Sequence, residues 1–73
     1  MEAQVRLLSN TGKQAHVYHS GKYYFISDNG KETLIFPSNA YGEMVDSYEV
    51  GGAVGATLAE VLGDFHAYLH FGS

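Results

Sequence analysis

Two turn signals divide the first half of the chain into runs of aromatic and β-branched residues. Residues 14–19 and 22–27 flank the dipeptide Ser20-Gly21, and residues 32–36 follow Asn29-Gly30. Runs of this composition form strands, and short glycine-containing links between them form hairpins, Asn-Gly being typical of a type I′ turn. The sequence therefore predicts an antiparallel meander, which restricts the fold more than any other feature of the chain.

The hairpin turns also predict which side chains share a face of the sheet. With two-residue turns, Val17 pairs with Tyr24 across the first hairpin, and Tyr24 pairs with Ile35 across the second. Because neighbouring residues of a strand point to opposite faces, two sets of side chains result. One face carries His16, Tyr18, Tyr23, Phe25, Leu34 and Phe36, and the other carries Ala15, Val17, Tyr24, Ile26, Thr33 and Ile35.

The stretch 57–70 predicts the helix of the fold. Its apolar residues recur at helical spacing and form one stripe, which consists of Leu58, Val61, Leu62, Phe65 and Leu69. Thr57 and Glu60 have the spacing of a capping box, which sets the helix start at Leu58. Gly63 costs this helix about 1 kcal/mol relative to alanine, so packing against the sheet must hold it.

The remaining segments complete a single α+β domain over residues 1–73. Residues 3–8 and 44–50 predict two further short strands, so that residues 1–50 form an antiparallel β-meander of three to five strands. The glycine-rich residues 51–56 predict a flexible loop that leads into the one C-terminal α-helix.

Both faces of the predicted sheet are apolar, whereas one helix covers only one of them. We expect the face with Phe25, Leu34 and Phe36 to pack on the helix, because aromatic rings supply much of the core of a small domain. The other face would then bind a partner, or the N-terminal segment or the glycine-rich loop would fold across it. The expected partner contacts are Val17, Tyr24, Ile26 and Ile35.

Composition excludes several classes of protein. The chain has 73 residues, no cysteine and a net charge of −4, and its four basic residues are scattered. Nucleic acid binding needs a clustered basic face, so we expect no nucleic acid partner. The uncharged run 50–59, which no other run exceeds in length, is shorter than the ~20 apolar residues of a membrane span, and the N-terminus lacks a secretory signal pattern. We expect a cytoplasmic protein that does not bind membranes, and its small size without disulfides favours self-association.

The sequence contains no strong catalytic or cofactor-binding pattern. His66 and His70 are four residues apart on the predicted helix and are the candidate metal ligands, but they need further ligands from His16, His19 or Asp64. The glycines before the helix match neither common nucleotide-binding pattern, and no serine lies in a nucleophile elbow. We therefore expect neither an enzyme nor a bound cofactor.

The second half of the chain carries an E-T-x-x-F strand, a short loop, a G-E-x-V strand and a terminal helix with small and histidine residues. The matching positions are Glu32, Thr33, Phe36, Gly42, Glu43 and Val45, then Glu60, Gly63 and His66. This pattern resembles very small accessory proteins of unknown function that are encoded by phages of actinobacteria. The resemblance implies a protein that acts by binding a host protein, and it implies no chemistry.

These features predict a small acidic, non-enzymatic protein–protein interaction module that binds itself or a host protein. One alternative is a structural subunit of a larger homo-oligomeric or virion assembly. A second alternative is a small-ligand or metal-binding protein that uses the helix histidines.

Overall fold

The computed structural model describes residues 5–70, which form a five-stranded sheet, one α-helix and one 3₁₀-helix. The strands are β1 (Arg6–Asn10), β2 (Gln14–His19), β3 (Lys22–Asp28), β4 (Glu32–Ser38) and β5 (Gly51–Val54). The helices are α1 (Leu58–Gly63) and the 3₁₀-helix η1 (Phe65–Tyr68). The strands pair antiparallel in the order β1-β2-β3-β4-β5, as a meander does. The predicted meander with a C-terminal helix is confirmed, although the sheet dominates the fold because α1 has only six residues.

The hairpin between β2 and β3 has the predicted pairing. Val17 lies opposite Tyr24, and Tyr18 lies opposite Tyr23. Ser20 and Gly21 form the turn, with φ angles of 52° and 83°. A type I′ turn requires positive φ at both central residues, so the turn residues and the register follow from the same local geometry.

The hairpin between β3 and β4 has a register that differs from the prediction by two residues. Tyr24 lies opposite Pro37 instead of Ile35. The connection is longer than two residues because the Asn29 side chain accepts the backbone N–H groups of the second and third residues after it, each at 2.9 Å. A shift of two residues keeps every side chain on its predicted face, so the two sets of side chains are unchanged.

The outer strands lie elsewhere than predicted. β1 spans Arg6–Asn10 rather than residues 3–8, of which residues 3 and 4 lie outside the described part of the chain. Residues 44–50 form no strand, and from this segment only Met44 makes an isolated bridge, with Ser38. The fifth strand is instead the glycine-rich segment that was predicted to be a loop.

The glycines of β5 are required by close packing. A Cβ atom on Gly51 would collide with the carbonyl oxygen of Tyr68 and lie 3.0 Å from the Cα atom of Leu69. A Cβ atom on Gly52 would collide with the carbonyl oxygen of Thr33. Glycine in a strand marks close backbone approach as well as flexibility, and here the close approach is to β4 and to the segment that follows η1.

The core lies between one face of the sheet and the segment formed by α1 and η1. This face carries seven buried side chains, which are Ala15, Val17, His19, Tyr24, Ile26, Thr33 and Ile35. The predicted orientation of the sheet is therefore wrong, because the face expected to bind a partner packs on the helix. The expected partner contacts Val17, Tyr24, Ile26 and Ile35 are core residues, each at most 6% exposed.

The large ring on the helical side explains this orientation. Phe65 of η1 packs edge-on against Tyr24 and His19, with ring centroids 5.2 Å and 5.4 Å apart. The other buried residues of this face are small or β-branched, which leaves space for the Phe65 ring between the layers. A second layer of sheet aromatics on this side would leave no room for Phe65.

The predicted start of the helix is confirmed, but its predicted length is wrong. Thr57 Oγ1 accepts the Glu60 N–H at 3.1 Å, and Glu60 Oε1 accepts the Thr57 N–H at 2.9 Å, which completes the capping box. The α-helix ends at Gly63, a poor helix former, and the chain continues as η1 instead of reaching residue 70. Four of the five stripe residues are nevertheless buried, which are Leu58, Val61, Phe65 and Leu69.

Two polar contacts fix α1 against the sheet. The buried Thr33 hydroxyl donates to the Ala56 carbonyl oxygen at 2.7 Å, and Asp28 Oδ2 accepts the Leu58 N–H at 3.3 Å. Both contacts satisfy groups that would otherwise be buried without a partner.

Within residues 5–70, no helix has the length and apolar character needed to span a membrane.

Candidate interaction surface

The face of the sheet opposite the core, called the open face here, carries the aromatic set of side chains. It consists of His16, Tyr18, Tyr23, Phe25, Leu34 and Phe36. All of these except His16 are only half-buried. The segment between β4 and β5, residues 39–50, is called the β4–β5 loop and lies against part of this face.

His16 is the contact point between the open face and the β4–β5 loop. Its Nε2 atom lies 3.1 Å from the carbonyl oxygen of Asn39, and a Cβ atom on Gly42 would lie 3.3 Å from its Nδ1 atom. Since His16 belongs to β2 and the loop leaves the end of β4, the first part of the loop crosses in front of β3. Gly42 has a φ of 86°, so glycine suits both this conformation and the narrow space above the ring.

Asn39 determines the shape of the first half of the loop. Its Oδ1 atom accepts the backbone N–H groups of Tyr41 at 2.9 Å and Glu43 at 3.0 Å. Its Nδ2 group donates to Glu43 Oε1 at 3.0 Å, and its backbone N–H donates to the Glu43 carbonyl oxygen at 2.9 Å. These bonds give the loop a defined conformation without any partner.

Replacing Asn39 by alanine is expected to lower the free energy of unfolding by about 1–2 kcal/mol, because three side-chain hydrogen bonds are lost. Urea denaturation measures this loss. The control is Asn10→Ala, which removes one hydrogen bond to a backbone N–H in another exposed turn and should cost less. Equal costs for the two variants would show that Asn39 does not organise the loop.

The outer side of the β4–β5 loop is apolar. Tyr41 is 88% exposed, Val45 56%, Tyr48 54% and Met44 46%. Single exposed apolar residues are ordinary on a protein surface, but here four large ones belong to one loop. Three exposed carboxylates lie among them, from Glu43, Asp46 and Glu49, and the chain has no lysine or arginine after Lys31. The loop is therefore both apolar and negatively charged.

A cleft of about 230 Å³, called the β1 cleft here, lies beside the loop on the open face. It is lined by Arg6, Leu8, Tyr18 and Tyr23. The register between β1 and β2 shifts between Leu7 and Ser9, and this bulge accommodates Leu8 beside Arg6 in the cleft. The Tyr18 and Tyr23 rings meet edge to face with centroids 5.1 Å apart. The cleft thus has aromatic and aliphatic walls and one positive charge.

Tyr24 lies on the core side, where burial raises the pKa of its phenol above the ordinary value. Ionisation is therefore easier in the unfolded chain than in the folded protein. The unfolded state loses this proton at a lower pH, so the free energy of unfolding should decrease as the pH rises above about 10, the ordinary tyrosine value. Denaturation curves between pH 8 and pH 11 test this, with Tyr24→Phe as the control that should reduce the decrease.

The candidate metal ligands are not brought together on one helix. His66 lies in η1, whereas His70 lies after η1 and donates its backbone N–H to the Val50 carbonyl oxygen at 2.8 Å. The His66 ring lies near that of the buried His19, with centroids 6.1 Å apart. The Nδ1 atom of His19 has no hydrogen-bond partner. Among the described residues, no group of three or more histidine, aspartate or glutamate side chains is placed to hold a metal ion.

The sequence predicts a strand over residues 44–50, whereas the structure has an exposed loop there. A usable signal was nevertheless present in the turn residues Ser38, Asn39 and Gly42, which precede this segment. Asparagine and glycine at these positions indicate an ordered turn, after which Met44 and Val45 contact the end of β4 through an isolated bridge and one further backbone hydrogen bond.

No protein family, curated protein or solved structure matches this chain.

Proposed function

We propose that this chain is a protein–protein interaction module without catalytic activity, and that its contact surface is the outer side of the β4–β5 loop. The observation that carries the proposal is the exposure of Tyr41, Met44, Val45 and Tyr48 on a loop with a defined shape. Tyrosine and methionine are enriched at protein interfaces. A loop that is already ordered loses less conformational entropy on binding than a flexible one.

The sequence predicts two apolar sheet faces but only one helix to cover them, and this excess of apolar side chains supports the same proposal. The β4–β5 loop contacts the open face through Gly42 and the Asn39 backbone, while its large apolar side chains face solvent. The loop covers part of the sheet but exposes apolar side chains of its own, so apolar surface remains in contact with water. A partner that packs on the loop would bury this surface, at about 25 cal/mol for each Å² removed from water.

The partner in this proposal is a protein, either a host protein or a second copy of the chain. The resemblance to small accessory proteins of actinobacterial phages supports a role inside the host cytoplasm. The positions of the buried polar side chains support a non-enzymatic role. The sheet separates His16, on the open face, from His19 and Thr33, on the core face. This separation is unsuited to a shared catalytic centre.

A structural subunit of a larger assembly is the second candidate, and the sheet edges favour it. β1 and β5 each have only one neighbouring strand in the described sheet, so another chain could add a strand along β1, or along β5 beyond Gly51, whose outer side pairs with Leu69. The bulge in β1 weakens this possibility at that edge. Concentration-dependent oligomers larger than a dimer would favour the assembly.

Site-specific photo-crosslinking in the cell of origin tests the proposed surface. A benzophenone amino acid is placed at Tyr41 or at Val45, and the control position is Val54, which is 82% exposed but lies outside the loop. We expect covalent protein adducts from the two loop positions and none from Val54. The mass of the adduct identifies the partner, because a second copy adds 8.0 kDa.

The proposal fails if the loop positions give no adduct, or if Val54 gives the same adducts in the same yield. Adducts from Val54 alone would instead place the contact at the β5 edge and favour the larger assembly.

A further inference from the structure

We infer that the partner of the β4–β5 loop is a second copy of the chain, and that the loop of each copy docks in the β1 cleft of the other. This inference rests on the proposed function, because it uses the same loop as the contact surface. It adds the identity of the partner and the surface on which the loop is received.

The loop and the cleft are neighbours on the open face. Gly42 of the loop packs on the His16 ring, and Tyr23 of the cleft stacks on the same ring, with centroids 5.6 Å apart. When two different surfaces lie side by side on one face, a twofold axis between them places each surface opposite the other in the second copy. The resulting dimer is closed and contains the loop-to-cleft contact twice.

The two surfaces are complementary in charge. The loop carries Asp46 and the cleft carries Arg6, and both side chains are exposed. Neither side chain has a hydrogen-bond or ion-pair partner within residues 5–70. Docking would bring these opposite charges to one interface, whereas two loops facing each other would bring together carboxylates only. Charge therefore favours the loop-to-cleft arrangement over contact between loops.

The two surfaces are also complementary in shape and polarity. Tyr41 is the most exposed large apolar side chain of the loop, and the cleft lined by Arg6, Leu8, Tyr18 and Tyr23 offers both polar and apolar surface to its ring and hydroxyl. A cavity of about 150 Å³ is sufficient to bind benzene. The cleft, at about 230 Å³, therefore has room for the Tyr41 ring. Packing of this ring against two tyrosines is the kind of contact that dominates interface energetics.

Sedimentation equilibrium of the full chain, from micromolar to millimolar concentration, tests the inference. We expect a dimer of twice 8.0 kDa that dissociates on dilution. Tyr41→Ala should raise the dissociation constant about thirtyfold, as loss of an interface anchor does. Arg6→Glu should raise it about tenfold, and adding Asp46→Arg to that variant should restore it to within about threefold of the natural chain.

The matched control is Lys31→Glu, which makes the same change of charge at an exposed turn outside both surfaces and should leave the dissociation constant unchanged. Circular dichroism establishes that each variant is folded, which is expected because positions 6, 41 and 46 are all exposed. If the double variant dimerises more tightly than Arg6→Glu alone, positions 6 and 46 interact, even if one of the single substitutions also alters the structure.

A natural chain that remains at 8.0 kDa at every concentration would overturn the inference. So would a dimer that Tyr41→Ala and Arg6→Glu leave unchanged, or a double variant no tighter than Arg6→Glu. A monomer whose loop still crosslinks to a different protein would overturn the dimer and leave the proposed function standing. The absence of any loop adduct would overturn the proposed function.

Discussion

Alanine at position 51 is expected to destabilise the protein by about 3 kcal/mol, a large fraction of the stability of so small a domain. The added methyl group would collide with the Tyr68 carbonyl oxygen and would lie 3.0 Å from both the Leu69 Cα atom and the Ile35 Cδ1 atom. Two of these three neighbours are backbone atoms, so no side-chain rotation relieves the contact. The segment after η1 must move away from β5, and the bridge between Gly51 and Leu69 is lost. Thermal and urea denaturation measure the effect.

Gly63→Ala is the matched control for this prediction, since it adds the same methyl group to another glycine. A Cβ atom at Gly63 would meet nothing within 4 Å, and this residue ends α1. Alanine is a better helix former than glycine, so we expect the control to be neutral or to stabilise the protein by up to about 1 kcal/mol. Equal destabilisation by both variants would contradict the close packing of β5 against the C-terminal segment.

Phe65→Ala is expected to lower the free energy of unfolding by about 3–5 kcal/mol, which would leave the protein largely unfolded. Phe65 is 2% exposed and fills the space between η1 and the core face of the sheet. Its ring packs edge-on against Tyr24 and His19. Truncation removes this buried area and leaves a cavity between layers that the sheet, held by its own hydrogen bonds, does not collapse to fill.

Phe36→Ala is the matched control, because it is the same substitution on the open face of the sheet. Phe36 is only half-buried, so we expect its loss to cost clearly less than the loss of Phe65. Urea denaturation of the two variants compares them directly. A larger cost for Phe36 would mean that the aromatic face is the core of the protein, as the sequence alone suggested.

Local features of the fold were predictable from the sequence because they depend on neighbouring residues. The turn at Ser20 and Gly21 fixed the first hairpin and its pairs, and the spacing of Thr57 and Glu60 fixed the helix start. The stripe residues were also predicted correctly, although η1 and not α1 presents Phe65. Each of these predictions uses hydrogen bonds or periodicity within a few residues.

Features that depend on distant contacts were not predictable in the same way. The glycine-rich β5 lacks the composition of a strand, and its glycines are explained only by the backbones that pack on Gly51 and Gly52. Which face of the sheet becomes the core depends on where the Phe65 ring packs. The pairing of residues between strands does not determine this. Counting apolar residues correctly showed two apolar faces, but it did not determine which face the helix covers.

The location of the interaction surface also depends on distant contacts, so the structure differs here from the prediction. Val17, Tyr24, Ile26 and Ile35 were chosen because their face was expected to be uncovered, and they are core residues. The surface now proposed lies on the β4–β5 loop, whose shape depends on a medium-range contact between Asn39 and Glu43 and on a long-range contact with His16. The excess of apolar residues was visible in the sequence, whereas its location was not.

The orientation of the β4–β5 loop on the open face is the claim on which the proposed surface depends, and nuclear Overhauser effects measure it most directly. Spectra of the natural chain should show contacts between the His16 ring protons and the Gly42 α-protons, as the packing of Gly42 on this ring requires. The Tyr41 ring should show no contact with Phe25 or Phe36, because it is 88% exposed. Contacts from Tyr41 or Val45 to these two phenylalanines, without contact between His16 and Gly42, would mean that the apolar side chains point inward and would contradict the account.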